Sequence, residues 1–248
     1  MKKVMLITGG SGGIGRATAV LAAKHGYAVA IGYAEQRERA EATAAEIRAD
    51  GGEAVVARAD VMREDEVVRL FQDVERDLGI PSVLVNSAGV AVRQAPLAEM
   101  DATRMQRVLL TNVLGTLLCS REAVRRMSTK RGGNGGAIVN LSSAASRIGS
   151  PGEYVDYAAS KGAIDTFTVG LAREVAPEGI RVAAVRPGVI ETEFHARAGD
   201  PGRPARLAAS IPMGRAGTAQ EIAAAILWLA SPEAAYATGA LLDVSGGR

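Results

Sequence analysis

The sequence has little of several residue types that carry common functions. It holds one cysteine, Cys119, which excludes an internal disulfide and is typical of a reducing compartment. Aromatic residues make up only 4% of the chain, so no stacking surface for nucleic-acid bases is predicted. Neither His25 nor His195 has carboxylates or cysteines at a spacing that suggests a metal site. We therefore predict neither a metal centre nor a nucleic-acid partner.

Charge and hydropathy also limit the function classes. The net charge of +2 is spread over helical segments, which indicates a solvated surface. The apolar run Val4–Ile7 ends at Thr8, too early for a signal peptide or a membrane span. With 48% hydrophobic residues the chain has enough apolar material for a large core. We expect a cytoplasmic protein that has no membrane partner.

Apolar strand-like runs alternate with amphipathic helical patterns from end to end. The predicted strands are Val4–Thr8, Ala28–Tyr33, Ala54–Ala57, Ser82–Asn86, Ala137–Leu141, Arg181–Val185 and Leu241–Val244. The predicted helices include Arg37–Ala49, Glu64–Leu78, Ala102–Met127, Tyr154–Ala176 and Gln220–Leu229. Near-continuous apolar strands separated by helices favour a seven-stranded parallel sheet covered on both faces, a doubly wound α/β/α sandwich. We expect one domain over residues 1–248, with a substrate loop or lid at about 191–217.

A glycine-rich turn joins the first strand to the first helix. The residues Thr8-Gly9-Gly10-Ser11-Gly12-Gly13-Ile14-Gly15 follow the spacing T-G-x-x-x-G-x-G. Glycines at this place allow a tight turn and let the backbone approach a pyrophosphate at the helix N-terminus. An ATP-binding P-loop is excluded because no Lys-Ser/Thr pair follows the last glycine.

Tyr157 and Lys161 form the predicted chemical centre. Their spacing places them one turn apart on the same helix face. A nearby cation favours the phenolate and would lower the pKa of tyrosine from its usual value near ~10. A serine hydroxyl after the preceding strand would hold a carbonyl oxygen while Tyr157 transfers a proton.

Together these motifs resemble the short-chain dehydrogenase/reductase family, and the resemblance covers almost the whole chain. The residues that carry it are Thr8–Gly15, Asp60-Val61, Asn86-Ser87-Ala88-Gly89, Asn112, Ser143, Tyr157, Lys161, Pro187-Gly188 and Thr192. The stretch Ile211–Gly247 is similar to bacterial 3-oxoacyl-carrier-protein reductases, and SPGEYVDYAASK to glucose 1-dehydrogenase-like members. The resemblance implies a Rossmann-type fold and hydride transfer between a nicotinamide cofactor and a carbonyl or secondary alcohol.

The resemblance also implies residue roles. Tyr157 would be the general acid/base, Lys161 would lower its pKa and bind the nicotinamide ribose, and Asn112 would anchor a water beside that lysine. Asp60 and Val61 would contact adenine, Asn86, Ala88 and Gly89 the adenosine ribose, and Thr192 the carboxamide. Further cofactor contacts are implied for Thr8, Gly9, Ser11, Gly13, Ile14, Gly15, Tyr33, Pro187, Gly188 and Ile190.

The resemblance leaves the catalytic serine open between two neighbours. Ser143 is second in the Ser-Ser pair, where the family's serine usually stands, and is the preferred residue. It precedes Tyr157 by fourteen residues, whereas thirteen is commoner, and we assign the extra residue to the loop Arg147–Glu153. A one-residue slip of the alignment would favour Ser142.

The second strand bears on cofactor choice. It ends in Gly32-Tyr33, without the acidic residue that selects NAD, and Arg37 and Arg39 follow. A guanidinium near the ribose favours the phosphate of NADP, so we predict NADP(H), with Arg37 as a contact and NAD(H) as the alternative. Glu35, and Gly12 where NADP-preferring relatives often carry arginine, argue for NAD.

The sequence does not identify the substrate. Carrier-protein reductases tend to have a basic residue at the position of Glu178, so a carrier-bound substrate is disfavoured and a small molecule preferred. A nucleotide-binding regulator without activity is the rival from another class, but such proteins would be expected to lose Tyr157 or Lys161. The resemblance also implies a homotetramer, or a homodimer, paired through the long helices.

Overall fold

The computed structural model describes residues 3–248 and contains a seven-stranded parallel sheet. Its strands are β1 (Val4–Thr8), β2 (Ala28–Tyr33), β3 (Ala54–Arg58), β4 (Val83–Asn86), β5 (Gly136–Leu141), β6 (Ile180–Pro187) and β9 (Leu241–Val244). Their order across the sheet is β3-β2-β1-β4-β5-β6-β9. All seven predicted strands are present, with ends that differ from the prediction by at most two residues. The predicted seven-stranded parallel sheet is therefore confirmed.

Helices cover both faces of this sheet, as near-continuously apolar strands require. On one face lie α1 (Gly13–Lys24), α2 (Arg37–Ala49) and α10 (Ala219–Ala230). On the other lie α3 (Glu64–Asp77), α5 (Gly115–Met127) and α7 (Val155–Val175). Every residue of β1 and β2 is buried between the two layers. The doubly wound α/β/α architecture follows directly from this two-sided burial.

The predicted long helix Ala102–Met127 is wrong as a regular helix. The structure divides it into α4 (Ala102–Leu109), a π-helical turn (Leu110–Leu114) and α5. A π-helical turn inserts one residue into the helical repeat and is common at functional sites. Its central residue here is Asn112, which is fully buried.

The segment predicted as a lid has its own short elements. These are β7 (Ile190–Glu191), α8 (Glu193–Arg197), α9 (Arg203–Leu207) and β8 (Gly217–Thr218), and α6 (Ala145–Ile148) lies opposite them across the site. Strands β7 and β8 pair in parallel, which closes the segment into a loop with a fixed base. Short 3₁₀ turns occur at Leu97–Glu99, Thr129–Arg131, Ala176–Glu178, Ala208–Ser210 and Pro232–Ala234.

The strand order reverses beside β1, which has β2 on one side and β4 on the other. Ligands of such sheets bind in the crevice beyond the carboxyl ends of the strands at this switch point. Thr8, the last residue of β1, holds the crevice together, since its Oγ1 accepts the backbone N–H groups of Ser87 and Ala88 at 3.2 and 3.1 Å.

Two further features concern the described range 3–248 as a whole. It contains no helix with the length and apolar character needed to cross a membrane. It also brings together no group of three His, Cys, Asp or Glu side chains arranged as metal ligands.

A substitution at Gly15 tests how tightly the glycine turn packs. A Cβ at Gly15 would lie 2.3 Å from the backbone oxygen of Gly9, which cannot move without distorting the turn. We expect Gly15→Ala to lower the free energy of unfolding by about 2–3 kcal/mol. The control is Gly170→Ala in α7, where nothing lies within 4 Å of the added carbon and a gain of about 0.5–1 kcal/mol is expected. Urea denaturation compares the two, and equal midpoints would contradict the packing argument.

Candidate active site

A cleft of about 520 Å³ opens at the carboxyl ends of β1, β4, β5 and β6. Its size lies within the range of small-molecule and cofactor sites. Ten of the predicted cofactor-binding residues line it: Gly9, Ser11, Gly13, Ile14, Ala88, Gly89, Pro187, Gly188, Ile190 and Thr192. Ser143, Tyr157 and Lys161 line it as well. The topology thus brings most of the predicted site together.

One end of the cleft is a cradle of backbone atoms. Gly9 and Gly13 have φ angles of 66° and 51°, in the left-handed region where glycine is favoured. The residue before the first turn of α1 is Gly12, which has no side chain that could accept hydrogen bonds from the N–H groups of that turn. Within this helix, which is described throughout, the first turn contains no acidic residue. Free N–H groups, the positive end of the helix dipole and the lack of side chains suit a pyrophosphate.

The same cleft is also lined by Ser143, Tyr157 and Lys161. Ser143 lies close enough to the Tyr157 hydroxyl to lower its pKa, and the ammonium of Lys161 lies 5.5 Å from the centre of the Tyr157 ring. Lys161 is 5% exposed, and its Nζ donates to the backbone oxygen of Leu141 at 2.6 Å. A hydroxyl pair that faces the cleft is therefore backed by a buried cation.

The expected lowering of the Tyr157 pKa by Lys161 is not found. Burial raises the pKa of Tyr157 to about 12, and the nearby Ser143 hydroxyl offsets only part of this. Burial also lowers the pKa of Lys161 to about 8, although the carboxylate of Asp165 opposes the change. Desolvation thus shifts both groups toward their neutral forms, but a pKa of about 8 leaves Lys161 mostly charged at neutral pH. Tyr157 is a protonated phenol at this pH.

The two candidate serines have different partners. Ser142 is 3% exposed, and its Oγ donates to the backbone oxygen of Lys161 at 3.2 Å. Ser143 Oγ accepts from the backbone N–H of Ala145 at 3.1 Å, and Ser143 lines the cleft together with Tyr157. Ser142 therefore links β5 to α7, whereas Ser143 faces the cleft.

Asn112 acts through its neighbours. Its Oδ1 accepts from Val90 N at 2.8 Å, while its Nδ2 donates to Val90 O and to Ser160 Oγ, both at 3.0 Å. Ser160 in turn donates to the backbone oxygen of Tyr157 at 2.7 Å. The π-helical turn thus links the loop after β4 to the first turn of α7, close to Gly89 and Lys161. No feature of the sequence around Asn112 predicted this turn.

The remaining predicted residues lie behind or beside the cleft. Asn86 is buried and donates to Ser120 Oγ and Asn140 Oδ1, so its side chain braces β4 against β5. Asp60 Oδ1 accepts from Met62 N at 3.0 Å, and Val61 packs on Gly115 of α5. Tyr33 is buried at the end of β2. The Arg37 side chain is 75% exposed and makes only a long ion pair with Glu41 at 4.0 Å.

The wall opposite Tyr157 is formed by residues within 144–154 and 189–210, two of the segments predicted to line the pocket, although no individual role was predicted for them. The ring of Phe194 lies 5.7 Å from that of Tyr157, and His195 packs edge-on against Phe194. Burial and the neighbouring Arg203 lower the pKa of His195. Arg203 is 7% exposed, binds both carboxylate oxygens of Glu153 at 2.8 and 2.5 Å, and stacks over Tyr154. This wall combines an aromatic surface with paired charges.

The burial of the Lys161 ammonium leads to a prediction of how the free energy of unfolding depends on pH. Lysine in an unfolded chain titrates near ~10.4, whereas the pKa of Lys161 is about 8 in the folded protein. Between these values the unfolded chain binds more protons, so the free energy of unfolding rises with pH. Lys161→Met should therefore lose this rise when urea unfolding is compared at about pH 7 and about pH 9.5. Lys24→Met, at an exposed position, is the control and should follow the wild type.

Comparison with known proteins agrees with this geometry. Residues 9–248 match a family model described as "Enoyl-(Acyl carrier protein) reductase". The chain is 53% identical over 245 residues to the uncharacterized oxidoreductase YgfF of Escherichia coli K12, with 99% of each chain covered. It is 38% identical over 247 residues to the 3-oxoacyl-[acyl-carrier-protein] reductase FabG of Staphylococcus aureus, which covers 100% of this chain and 98% of that protein.

Solved structures give the same result. A dehydrogenase/reductase from Sinorhizobium meliloti superimposes with a TM-score of 0.91 at 34% identity. A short-chain type dehydrogenase/reductase from Mycobacterium marinum superimposes with a TM-score of 0.92, also at 34% identity. Both alignments cover 99% of this chain and 94% of the other. The chain belongs to the short-chain dehydrogenase/reductase family.

Proposed function

We propose that this oxidoreductase interconverts a small-molecule carbonyl compound and its secondary alcohol, with NADP(H) as the preferred cofactor. The observation that carries the proposal is that the Ser143 and Tyr157 side chains line one cleft beside the buried ammonium of Lys161. Two hydroxyls that converge on one point suit a carbonyl oxygen that gains negative charge.

Three side chains have a defined part in the proposed reduction, those of Ser143, Tyr157 and Lys161. The nicotinamide cofactor, when bound, supplies the hydride that adds to the carbonyl carbon. Ser143 Oγ donates a hydrogen bond to the carbonyl oxygen, and Tyr157 transfers its phenolic proton to that oxygen as the charge develops. Lys161 then stabilises the phenolate that remains on Tyr157, because an adjacent cation favours the ionised form. The reverse order of proton transfers serves the oxidation.

Asn112 has a positioning part in this proposal. All of its amide hydrogen bonds described here go to Val90 and Ser160, and Ser160 bonds the backbone of Tyr157. Asn112 therefore holds the first turn of α7 against the loop after β4. A water anchored near Gly89 between Asn112 and Lys161 remains part of the proposal, since both side chains approach that glycine.

Two structural features of the cleft suit the cofactor. The glycine cradle leaves space at the α1 N-terminus, and a Cβ added to Gly13 would lie 3.6 Å from the Thr192 side chain, so residues 191–217 would close over a bound dinucleotide as a lid. The tip of β2 carries Tyr33 and no carboxylate, which removes the repulsion that a 2′-phosphate meets in NAD-selective sites. These features favour NADP(H), and NAD(H) is the alternative.

A carrier-protein-bound 3-oxoacyl substrate is the second candidate, because a relative at 38% identity is named for that activity. The electrostatics around Glu178 argue against it. Glu178 accepts from Ser128 Oγ at 2.5 Å and pairs with Lys130 Nζ at 3.3 Å, so the nearest lysine is already neutralised. An acidic carrier would meet a carboxylate there. A glucose 1-dehydrogenase-type substrate is a further alternative, favoured by the polar Glu153–Arg203 pair in the cleft wall.

Activity itself separates this proposal from an inactive nucleotide-binding regulator. The experiment is a panel of small ketones, sugars and free or carrier-bound acyl thioesters, assayed with NADPH and NADH. Detectable turnover of one of these with a nicotinamide cofactor would exclude the regulator. Higher kcat/KM on the carrier-bound thioester than on the free one would favour the second candidate.

Tyr157→Phe tests the chemical role of the phenol. The change removes one hydroxyl and keeps the ring, so the fold and cofactor binding should persist while turnover falls by roughly three to four orders of magnitude. Tyr236→Phe, at a fully exposed position, is the control and should keep wild-type rates. Circular dichroism and kcat on a confirmed substrate provide the readouts. A Tyr157→Phe variant with more than roughly a tenth of wild-type activity would show that another group transfers the proton.

We also propose a homotetramer, with a homodimer as the alternative. Leu109, Leu110 and Leu114 are 38–46% exposed around the π-helical turn, and Trp228 is 43% exposed on α10, the last α-helix. Two separate apolar surfaces suit two different two-fold axes. Light scattering at micromolar concentration should give the mass of four chains, and Leu110→Lys should shift it toward that of two. A stable wild-type monomer would contradict the proposal.

A further inference from the structure

The lid carries a carboxylate that is bound to arginines beside the glycine turn. Both oxygens of Glu193, the first residue of α8, are hydrogen-bonded to the guanidinium of Arg39 in α2, 154 positions away in the chain. Arg197 donates to the same carboxylate at 3.1 Å and to Gln36 Oε1 at 3.0 Å. Two cations and one anion thus form a cluster between the lid and the start of α2.

The position of the cluster relates it to the cleft. A Cβ added to Gly12 would lie 3.4 Å from Arg197 Nη2, so this guanidinium lies next to the glycine turn. Gln36 precedes the first residue of α2, shortly after the tip of β2 at Tyr33. In a dinucleotide-binding sheet the ribose that joins adenine is bound between the glycine turn and the tip of the second strand. Glu193 and Arg197 both line the cleft.

We propose that Arg39 and Arg197 form the binding site for the 2′-phosphate of NADP(H), and that Glu193 occupies this site as an internal anion until the phosphate displaces it. This inference rests on the proposed preference for NADP(H). It assigns the specificity to Arg39, whereas the sequence-based prediction chose Arg37. The Arg37 side chain extends into solvent beside Glu41 and lies outside the cluster.

Charge explains why the exchange is favourable. Glu193 contributes one negative charge against two guanidinium groups, so the cluster keeps an excess of about one positive charge. A phosphate monoester carries about −1.5 to −2 at neutral pH and presents three acceptor oxygens, which match two guanidinium groups better than one carboxylate does. The side chains of Arg39, Glu193 and Arg197 are 41%, 52% and 52% exposed, so their ion pairs contribute little net stability and are readily exchanged.

A matched pair of nucleotides isolates the 2′-phosphate from catalysis. 2′,5′-ADP and 5′-AMP differ only in that group, and isothermal titration calorimetry measures their affinities without turnover. Wild-type enzyme should bind 2′,5′-ADP more tightly. Arg39→Ala should weaken 2′,5′-ADP by roughly 10- to 100-fold and 5′-AMP by less than roughly threefold. Arg37→Ala, two positions away in the same helical turn, is the matched comparison and should change neither by more than roughly threefold.

Glu193→Gln tests the internal anion. The variant keeps the size of the side chain and removes its charge, so 2′,5′-ADP should bind roughly 5- to 20-fold more tightly while 5′-AMP is unchanged. Unchanged or weaker 2′,5′-ADP binding would overturn the role of Glu193. Weaker 5′-AMP binding alone would identify Glu193 as an acceptor for a ribose hydroxyl and would likewise overturn it. Arg69→Gln, in an exposed ion pair on α3, controls for a general change of charge.

The outcomes separate this inference from the proposed function. Wild-type enzyme that bound 2′,5′-ADP no better than 5′-AMP would overturn the NADP(H) preference and this inference with it. A wild-type preference for 2′,5′-ADP that survived in Arg39→Ala and was lost in Arg37→Ala would overturn the inference alone. Loss of the preference in Arg39→Ala, with tighter binding in Glu193→Gln, would support both.

Discussion

The site depends on one buried hydrogen bond, from Lys161 Nζ to the backbone oxygen of Leu141 at 2.6 Å. An ammonium that is 5% exposed is stable only where a fixed acceptor replaces its lost water. Leu141 ends β5, so the bond sets where α7 crosses the end of the sheet. Ser142 adds a second tie, from its Oγ to Lys161 O. With α7 fixed in this way, Tyr157 lies one turn earlier, against Ser143.

Other buried polar contacts reinforce the same placement. Asn86, Asn140 and Thr168 form a chain of side-chain hydrogen bonds, each about 2.9 Å, that runs from β4 through β5 to α7. A separate chain connects Asn112 through Ser160 to the backbone of Tyr157. Buried networks of this kind stabilise one arrangement over its near alternatives, because any shift leaves a donor or acceptor unpaired. The side chains proposed to be catalytic are therefore positioned before a substrate would arrive, and such preorganisation lowers the barrier to charge development.

Local sequence patterns predicted the parts of this fold that depend on neighbours in the chain. Apolar runs identified all seven strands, and the glycine spacing identified the turn before α1. Features that depend on distant residues escaped the prediction. The π-helical turn at Asn112 is stabilised by Val90 and Ser160, and the lid by Arg39, which is 154 positions from Glu193. The raised pKa of Tyr157 escaped as well, since it depends on burial and not on the Tyr-x-x-x-Lys spacing.

The two ends of the cleft differ in how their charges are held. At the end proposed to be catalytic, Lys161 is buried and bonded to the backbone oxygen of Leu141. At the glycine-turn end, Arg39, Glu193 and Arg197 are about half exposed and bonded to one another. Solvent ions screen exposed pairs much more strongly than a buried bond. In the proposed function, ligand recognition lies with loops on a rigid scaffold, so substitutions there would alter which ligand binds without changing the geometry of proton transfer.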